Sequence, residues 1–196
     1  NWSINGTGSL VVKGPISNGT GTGLTVAGAG ALNLGASGVN SSFYHLGVTS
    51  GNVELNGGQL SLTSTEILTS NVGLMVGSAS TSASFTVVGG ALLDMDASGA
   101  AIIDGEATVL GSLSTWNLPL YSAVGVNHTG HLTVSDEGIV APKGSGSLLL
   151  VGLNQNAVLD VLGGGTLTSG IGALAISPQV SATANVSGAG TKWTVQ

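Results

Sequence analysis

The chain lacks cysteine and arginine, and only 6% of its 196 residues are charged. Without cysteine, a disulfide scaffold is impossible. The only basic side chains besides histidine are Lys13, Lys143 and Lys192, and the formal net charge is −6. Because a phosphate backbone or an anionic membrane surface is bound by clusters of lysine and arginine, this composition argues against both as partners.

Long apolar runs are also missing. Glycine, serine, threonine and asparagine interrupt every apolar stretch well before the roughly 18 residues that a membrane-spanning helix needs. Disorder is disfavoured as well, because 42% of the residues are hydrophobic and they recur at regular places. The first residues, NWSINGTGSL, are neither basic nor continuously apolar, so they do not form a signal peptide. We therefore expect the chain to be a segment of a longer exported protein.

A short phrase, here called the corner motif, recurs five times: an alternating apolar pair, a glycine-rich corner and a second alternating run. Its copies are GLTVAGAGALNL from Gly23, NVELNGGQLSL from Asn52, SFTVVGGALLDM from Ser84, HLTVSDEGIV from His131 and VLDVLGGGTLT from Val158. The first run begins at Leu24, Val53, Phe85, Leu132 and Leu159, and the second at Leu32, Leu60, Leu92, Ile139 and Leu167. Two short strands joined by a repeated corner predict a chain that keeps coiling in one direction, which is a β-solenoid.

Helical periodicity is almost absent, and no stretch loses its apolar alternation long enough to be a linker. Closely spaced short strands are also typical of a sandwich or small barrel. The repeated corner favours the solenoid, although Asn-Gly pairs at Asn5, Asn18 and Asn56 are hairpin signals. We predict an all-β fold with residues 1–196 forming one continuous parallel β-helix.

The tryptophans suggest a coil length. Trp2, Trp116 and Trp193 are separated by 114 and 77 residues, both near multiples of 19. We therefore predict roughly ten coils of about 19 residues, stacked about 4.8 Å apart.

Two further phrases connect the chain to a known family. ATVLGSLSTWNL from Ala107 and ANVSGAGTKWTV from Ala184 share a valine seven residues before Trp116 or Trp193, and a glycine, Gly111 or Gly188, five residues before it. Strands ending in glycine precede several corner motifs, at Gly47, Gly77, Gly125 and Gly152. This order resembles the repeat of autotransporter (type V secretion) passengers and PEP-CTERM-associated proteins, most closely over residues 107–196. The resemblance implies a right-handed parallel β-helix displayed outside a Gram-negative cell.

Carboxylates are the first candidates for chemistry. Asp94 and Asp96 are two apart on one predicted strand, which places them on one face, and Asp104 and Glu106 form a second pair. Paired carboxylates are what glycoside hydrolysis requires. The alternative, which we favour, is that they are solvated residues that keep a nearly neutral rod soluble. A polysaccharide lyase would need a strong cation, for which Lys143 is the one candidate.

Histidines are the second candidates. His128 and His131, with Asp136 nearby, suggest a metal site, but residues three apart on a strand point to opposite faces, so a solvated loop is the better interpretation. His45, beside Phe43 and Tyr44, is typical of a packed aromatic corner. No G-x-S-x-G elbow occurs, and strands rather than helices follow the glycine runs, which disfavours a serine hydrolase and a phosphate loop.

These observations predict a non-enzymatic β-helix without cofactor or metal that acts in adhesion or cell–cell self-association through an extended polar face. Its expected partners are copies of itself or cell-surface glycans. One alternative is a filament or sheath subunit that stacks end to end, because NWSI and KWTV place Trp2 and Ile4 near one end, and Trp193 and Val195 near the other, in similar phrases. The other alternative is a polysaccharide-active enzyme that uses Asp94, Asp96, Asp104 and Glu106.

Overall fold

A computed structural model describes residues 2–17, 21–67, 72–77 and 83–196. Over these ranges the chain forms 23 β-strands and no helix, so no described helix is able to cross a membrane. The strands belong to three sheets, and all strand pairs are parallel.

Sheet A contains β1 (Trp2–Asn5), β3 (Leu24–Ala27), β6 (Leu46–Val48), β9 (Leu74–Val76), β12 (Ala100–Ile103), β15 (Tyr121–Val124), β18 (Leu148–Val151) and β21 (Ile171–Leu174). Sheet B contains β2 (Ser9–Val12), β4 (Ala31–Leu34), β7 (Asn52–Asn56), β10 (Ser84–Val88), β13 (Glu106–Leu110), β16 (Gly130–Ser135), β19 (Ala157–Leu162) and β22 (Ala182–Ser187). Sheet C contains β5 (Asn40–Phe43), β8 (Gln59–Leu62), β11 (Leu92–Met95), β14 (Thr115–Leu118), β17 (Ile139–Pro142), β20 (Thr166–Ser169) and β23 (Lys192–Val195).

The chain visits the three sheets in turn, and each strand pairs with its equivalents one coil before and one coil after. This arrangement confirms the predicted parallel β-solenoid. The predicted ten coils are wrong, because the molecule has about seven turns. Paired residues are 19 apart between Ser41 and Leu60 but 33 apart between Leu60 and Leu93, so coil length varies with the loops inserted at the corners.

The tryptophan spacing misled the count because the three residues are not equivalent. Trp2 lies in sheet A, whereas Trp116 and Trp193 lie in sheet C. Between the last two, the register runs from Trp116 to Val140, Leu167 and Trp193, which is three coils rather than four. Trp2 and Trp193 therefore do not occupy the same place in the coil, and the similarity of NWSI and KWTV does not reflect structural equivalence.

Four of the five corner motifs, together with the phrases from Ala107 and Ala184, turn from sheet B into sheet C. Their first apolar residues stack in one inward column: Val53, Phe85, Ala107, Leu132, Leu159 and Ala184. The motif from Gly23 instead turns from sheet A into sheet B, since Leu24 pairs with Leu46 and Leu32 with Val53. Within sheet C, the strands begin at Leu92 and Ile139, where the second runs were predicted to begin; these two residues face outward, and the next residues, Leu93 and Val140, point inward.

The core lies between the sheets and contains leucine, valine, isoleucine, alanine and a few large side chains. Strands such as β10, β16 and β19 alternate strictly between buried and partly exposed residues. Trp116, Phe43 and Phe85 are the largest fully buried side chains. Because burying one large apolar side chain stabilises a fold by about 1.5–3 kcal/mol, the stacked columns hold the coils together.

The corners between sheets B and C contain left-handed backbone. Gly89 and Gly90 have φ of 67° and 74°, and Gly163 and Gly164 have 53° and 85°. In one of the two corners between them, Asp136 and Glu137 adopt 50° and 67° without being glycine. Two successive left-handed residues are typical of a type I′ turn, and the N–H of Gly138 closes this one by donating to the carbonyl of Ser135 at 2.8 Å.

Hydroxyl groups link neighbouring coils at these and other corners. The Oγ of Ser114 accepts a hydrogen bond from the N–H of Gly90, and the Oγ of Ser147 accepts one from Gly170, each at 3.1 Å. Ser50 and Thr191 bond to Gly28 and Gly164 in the same way, at 2.8 and 2.9 Å. Backbone donors that the strand ladders leave unpaired are thereby satisfied from the adjacent coil.

Glu137→Gly tests the cost of the left-handed turn. The Glu137 side chain is exposed, so its loss removes little packing, while glycine relieves a backbone strain worth about 1–2 kcal/mol. Allowing for the greater freedom of glycine in the unfolded chain, we expect the free energy of unfolding to rise by up to about 1 kcal/mol. Denaturant unfolding measures the change.

Gly138→Ala is the matched control in the same turn. A Cβ there lies 2.5 Å from the carbonyl oxygen of Val109, so we expect a loss of about 1–3 kcal/mol. If Glu137→Gly and Gly138→Ala change the free energy of unfolding in the same direction, the positive φ of Glu137 does not strain the backbone as proposed.

Candidate functional site

The outer face of sheet B carries polar side chains in rows that run along the rod. One outward row follows the register across seven coils: Asn33, Glu54, Thr86, Thr108, Thr133, Asp160 and Asn185. A parallel row next to it contains Asn52, Ser84, Glu106 and His131. Since paired strands are about 4.8 Å apart, the surface presents a polar group at each step along the rod.

Hydrogen bonds between coils order this surface. The Nδ2 of Asn33 donates to Oε1 of Glu54 at 2.9 Å, and the Oγ of Ser84 donates to Oδ1 of Asn52 at 2.8 Å. Farther along the rod, Nε2 of His131 lies 2.8 Å from Oδ2 of Asp160, whose other oxygen accepts from Nδ2 of Asn185 at 2.7 Å. These contacts fix the side chains before any partner arrives, which lowers the entropy cost of binding.

A shallow groove of about 440 Å³ opens on the same face. Gly105, Glu106, Thr129, Gly130, His131 and Val158 line it. A carboxylate, an imidazole and a hydroxyl group thus line the same groove.

The outer face of sheet A is apolar instead. Its outward row contains Met75, Ile102, Ala123 and Leu150. The last three are at most 8% exposed, and Ile67 and Val126, from neighbouring loops, pack on the cluster around Ile102. Loops therefore cover much of this face, and sheet B presents the broader polar surface.

The four candidate carboxylates lie on different parts of the rod. Asp94 points outward from sheet C, where its oxygens bond to Nδ2 of Asn117 and Nζ of Lys143, both at 2.9 Å. Asp96, on the same face, accepts the N–H of Ser98 at 2.8 Å. Glu106 begins a strand of sheet B. The structure brings Asp94 near Lys143, as an ion pair, but it does not bring the four carboxylates together.

Asp104 is the fourth carboxylate, and it is fully buried at the corner between sheets A and B. Its Oδ1 accepts the N–H groups of Val126 and Asn127 at 2.6 and 2.9 Å. Its Oδ2 accepts from Nδ2 of Asn127 at 2.8 Å. Asp104 therefore links its own coil to the corner of the next one through three hydrogen bonds.

His128, His131 and Asp136 do not converge either. His128 lies in the loop after β15, His131 on the outer face of β16, and Asp136 in the type I′ turn after it. Over the described ranges, no group of three or more histidine, cysteine, aspartate or glutamate side chains is placed to hold a metal ion.

His45 is packed into a corner, as the sequence indicates. It is 6% exposed, and the ring of Tyr44 meets it edge-on with a centroid distance of 6.0 Å. Gly23 leaves the space for the imidazole, since a Cβ there would lie 2.1 Å from Nε2 of His45. Burial lowers the pKa of His45, while the nearby Glu66 carboxylate opposes that shift. The Nδ1 atom has no hydrogen-bond partner.

The predicted repeat glycines divide into two sets. Gly77, Gly125 and Gly152 each come directly after a strand of sheet A, and each has a positive φ. Asp104 occupies the equivalent position in the coil that lies between those of Gly77 and Gly125. Gly47 lies inside β6, two residues before that position, so it is not equivalent to them. Gly111 and Gly188 both lie in the corner from sheet B to sheet C, ahead of Trp116 and Trp193.

The end-stacking candidates also differ in position. Trp2 and Ile4 lie in the first strand of sheet A, and Trp193 and Val195 lie in the last strand of sheet C. Trp116 is fully buried, where its Nε1 lies 3.3 Å from the sulfur of Met95, whereas Trp193 is partly exposed.

The polar row of sheet B was not singled out from the sequence. Except for Asn185, each of its members alternates with buried residues on one strand, so the outward positions were readable. The alignment of these residues across the coils was not readable from the sequence, because His131 and Asp160 are 29 residues apart and the loops between coils vary in length.

Comparison of the chain with protein-family models, with curated proteins and with solved structures gives no match.

Asp104→Ala tests the buried corner. It leaves two backbone donors and one amide without acceptors, so we expect the free energy of unfolding to fall by about 3 kcal/mol. Asp104→Asn retains one oxygen for the two N–H groups, so it should lower the free energy of unfolding less than Asp104→Ala does. Asp96→Ala, at an exposed turn, is the control and should cost at most about 1 kcal/mol. Equal losses at positions 96 and 104 would contradict this role.

His45 predicts a pH dependence of stability. Its folded pKa lies below the unfolded value of about 6.5, so the unfolded chain binds the proton more readily between the two values. Stability is therefore full above about pH 6.5 and declines as the pH falls, by at most about 1.4 kcal/mol per pH unit. Unfolding of the parent and of His45→Gln, each at pH 7.5 and 5.5, should show a smaller decline in the variant. An equal decline in both would contradict the assignment.

Proposed function

We propose that this chain is a non-enzymatic rod that acts in adhesion or cell–cell self-association through the outer face of sheet B. The observation that carries the proposal is the polar row from Asn33 to Asn185, which continues through seven coils in register. An extended row suits an extended partner, such as a glycan chain or another rod. Many weak contacts along it add together through multivalency.

The contents of the face favour hydrogen bonding over ion pairing. Thr86, Thr108 and Thr133 form a stack of hydroxyl groups at its centre, between Glu54 and Asp160. No lysine lies in the row, so a polyanion has little to bind there. We expect a partner rich in hydroxyl or amide groups, and binding that depends weakly on salt.

The proposed location is the exterior of a Gram-negative cell. Support comes from the resemblance of residues 107–196 to autotransporter passengers and from the parallel β-solenoid, which is the fold that resemblance implies.

Thr108→Lys with Thr133→Lys tests the face. Two long charged side chains interrupt the hydroxyl stack, so we expect at least about tenfold weaker clumping of protein-coated beads and weaker retention on a panel of cell-surface glycans. The matched control is Thr115→Lys with Thr166→Lys, which places the same change on the outer face of sheet C.

The comparison between the two double variants decides the result. Loss confined to the sheet B variant supports the proposal. Equal behaviour of the two variants, or a parent chain that neither clumps beads nor binds any glycan or cell, would overturn it.

A further inference from the structure

A pocket of about 260 Å³ opens on the outer face of sheet A, where β3, β6 and β9 pair with one another. Loops cover other parts of this face. Three residues of the pocket, Thr25, Gly47 and Met75, are paired neighbours in one outward column. Side chains from the adjoining corners and loops complete the lining, among them His45, Thr49 and Val72. The pocket is therefore built on the strands of the rod itself.

Gly47 leaves the space of this pocket without a reason inside the chain. Gly47 and Gly172 are the two glycines in the interior of a described strand. At Gly172, an added Cβ would lie 3.0 Å from Cζ2 of Trp193, so close packing explains that glycine. At Gly47, φ is not positive, and the nearest atom to an added Cβ is Oγ1 of Thr25 at 3.8 Å. Neither the backbone conformation nor crowding therefore requires glycine at position 47.

Glycine in the middle of a strand destabilises the strand, because it packs against nothing and loses the most conformational freedom on folding. Such a glycine often marks a bulge, a tight bend, or a place where another backbone or a ligand approaches closely. Three successive residues of β6 pair in register with β3 and with β9, which excludes a bulge. No described backbone atom comes within 4 Å of a Cβ at Gly47. A ligand is the explanation that remains.

His45 provides a second, independent observation. It lines the pocket, it is 6% exposed, and over the described residues its Nδ1 atom has no hydrogen-bond partner. Buried polar atoms are nearly always paired, because an unpaired one is not compensated for the loss of its hydration. Burial lowers the pKa of His45 below its usual value, so the imidazole is neutral at about pH 7. In that state Nδ1 either donates or accepts, depending on the tautomer.

We propose that this pocket binds one neutral sugar ring, such as the terminal hexose of a glycan, with the ring over Gly47 and one of its hydroxyl groups bonded to Nδ1 of His45. The ligand then supplies the hydrogen-bond partner that the chain does not. This site goes beyond the proposed function, because it lies on sheet A and shares no residue with the polar row of sheet B.

The lining of the pocket favours this class of ligand. Among the described residues that line it, none carries a fixed charge, so an ion would lose hydration without gaining a counter-charge. Thr25 and Thr49 supply hydroxyl groups, and Oγ1 of Thr49, which donates to the carbonyl of Val26 at 3.1 Å, can still accept. Val72 and Met75 supply apolar surface for the C–H groups of a sugar ring. The volume suits a single ring rather than a chain.

Gly47→Val tests the site by filling it. The probes are the methyl glycosides of glucose, galactose, mannose and N-acetylglucosamine, each titrated into the protein while the backbone amide signals are followed by NMR. We expect at least about tenfold weaker binding of any glycoside that the parent binds, because the valine methyl groups occupy the place of the ring. The midpoint of denaturant unfolding should stay equal or rise, because valine favours strands and glycine does not. A glycine with a purely structural role would instead give a lower midpoint.

His45→Phe tests the hydrogen bond. Phenylalanine keeps an aromatic ring at this position and removes both nitrogen atoms, so we expect roughly tenfold weaker binding of the same glycoside. The unfolding midpoint should not fall, because the variant loses an unpaired buried nitrogen and no bond. Ala141→Val is the matched control, since it adds a similar side chain to an outward position of sheet C and should bind like the parent.

Two sets of outcomes decide the proposal. Saturable shifts at the amides of Gly47 and Thr49 in the parent, weakened in both pocket variants and kept in the control, support the site. A parent in which no glycoside of the panel shifts these signals, or a Gly47→Val variant that binds like the parent, overturns it. The Thr108→Lys and Thr133→Lys double variant should bind the glycoside unchanged, so failure of this pocket and failure of the sheet B face are distinguishable.

Discussion

Parallel hydrogen bonding between successive coils is the interaction on which this molecule depends. Each strand must lie one rung from its equivalents, so the corners must bring backbone within reach of backbone at every turn. A Cβ at Gly165 would lie 2.4 Å from the carbonyl oxygen of Val134, and the same holds one coil earlier for Gly138 and Val109. Where the chain does not use glycine, short hydroxyl side chains such as Ser114 and Ser147, or the buried Asp104, supply the missing hydrogen bonds. The abundance of glycine, serine and threonine follows from this requirement.

Much of the fold was predictable because inward and outward residues alternate with period two and the corner motif repeats. The number of coils was not, since it depends on loop lengths that no local pattern fixes. Which residue after the corner faces the core, Leu92 or Leu93 and Ile139 or Val140, was not predictable for a similar reason. A glycine corner can hold one residue more or fewer, and a shift by one residue moves a side chain from the core to the surface. Leu93 and Val140 are the residues that the core accepts.

The candidate site was less predictable than the fold. Sequence proximity grouped Asp104 with Glu106, but a corner separates them, one inside the rod and the other on its outer face. The contact between His131 and Asp160 joins residues 29 apart, and its existence depends on the register of two strands and the loop between them. Patterns within one strand indicate which residues face outward. Only the assembled coil decides which outward residues become neighbours.

The range of coil lengths, from 19 to 33 residues between equivalent positions, has a consequence for how such a chain can change. An insertion at a corner bulges outward and leaves the columns of Val53, Phe85 and Leu132 in frame, whereas an insertion inside a strand would displace every later residue of that strand. Length changes are therefore accommodated at the corners between the sheets, and the three sheets themselves evolve mainly by substitution. A molecule built in this way can acquire a new loop without repacking its core. Its recognition surfaces and its stability can therefore change independently of each other during evolution.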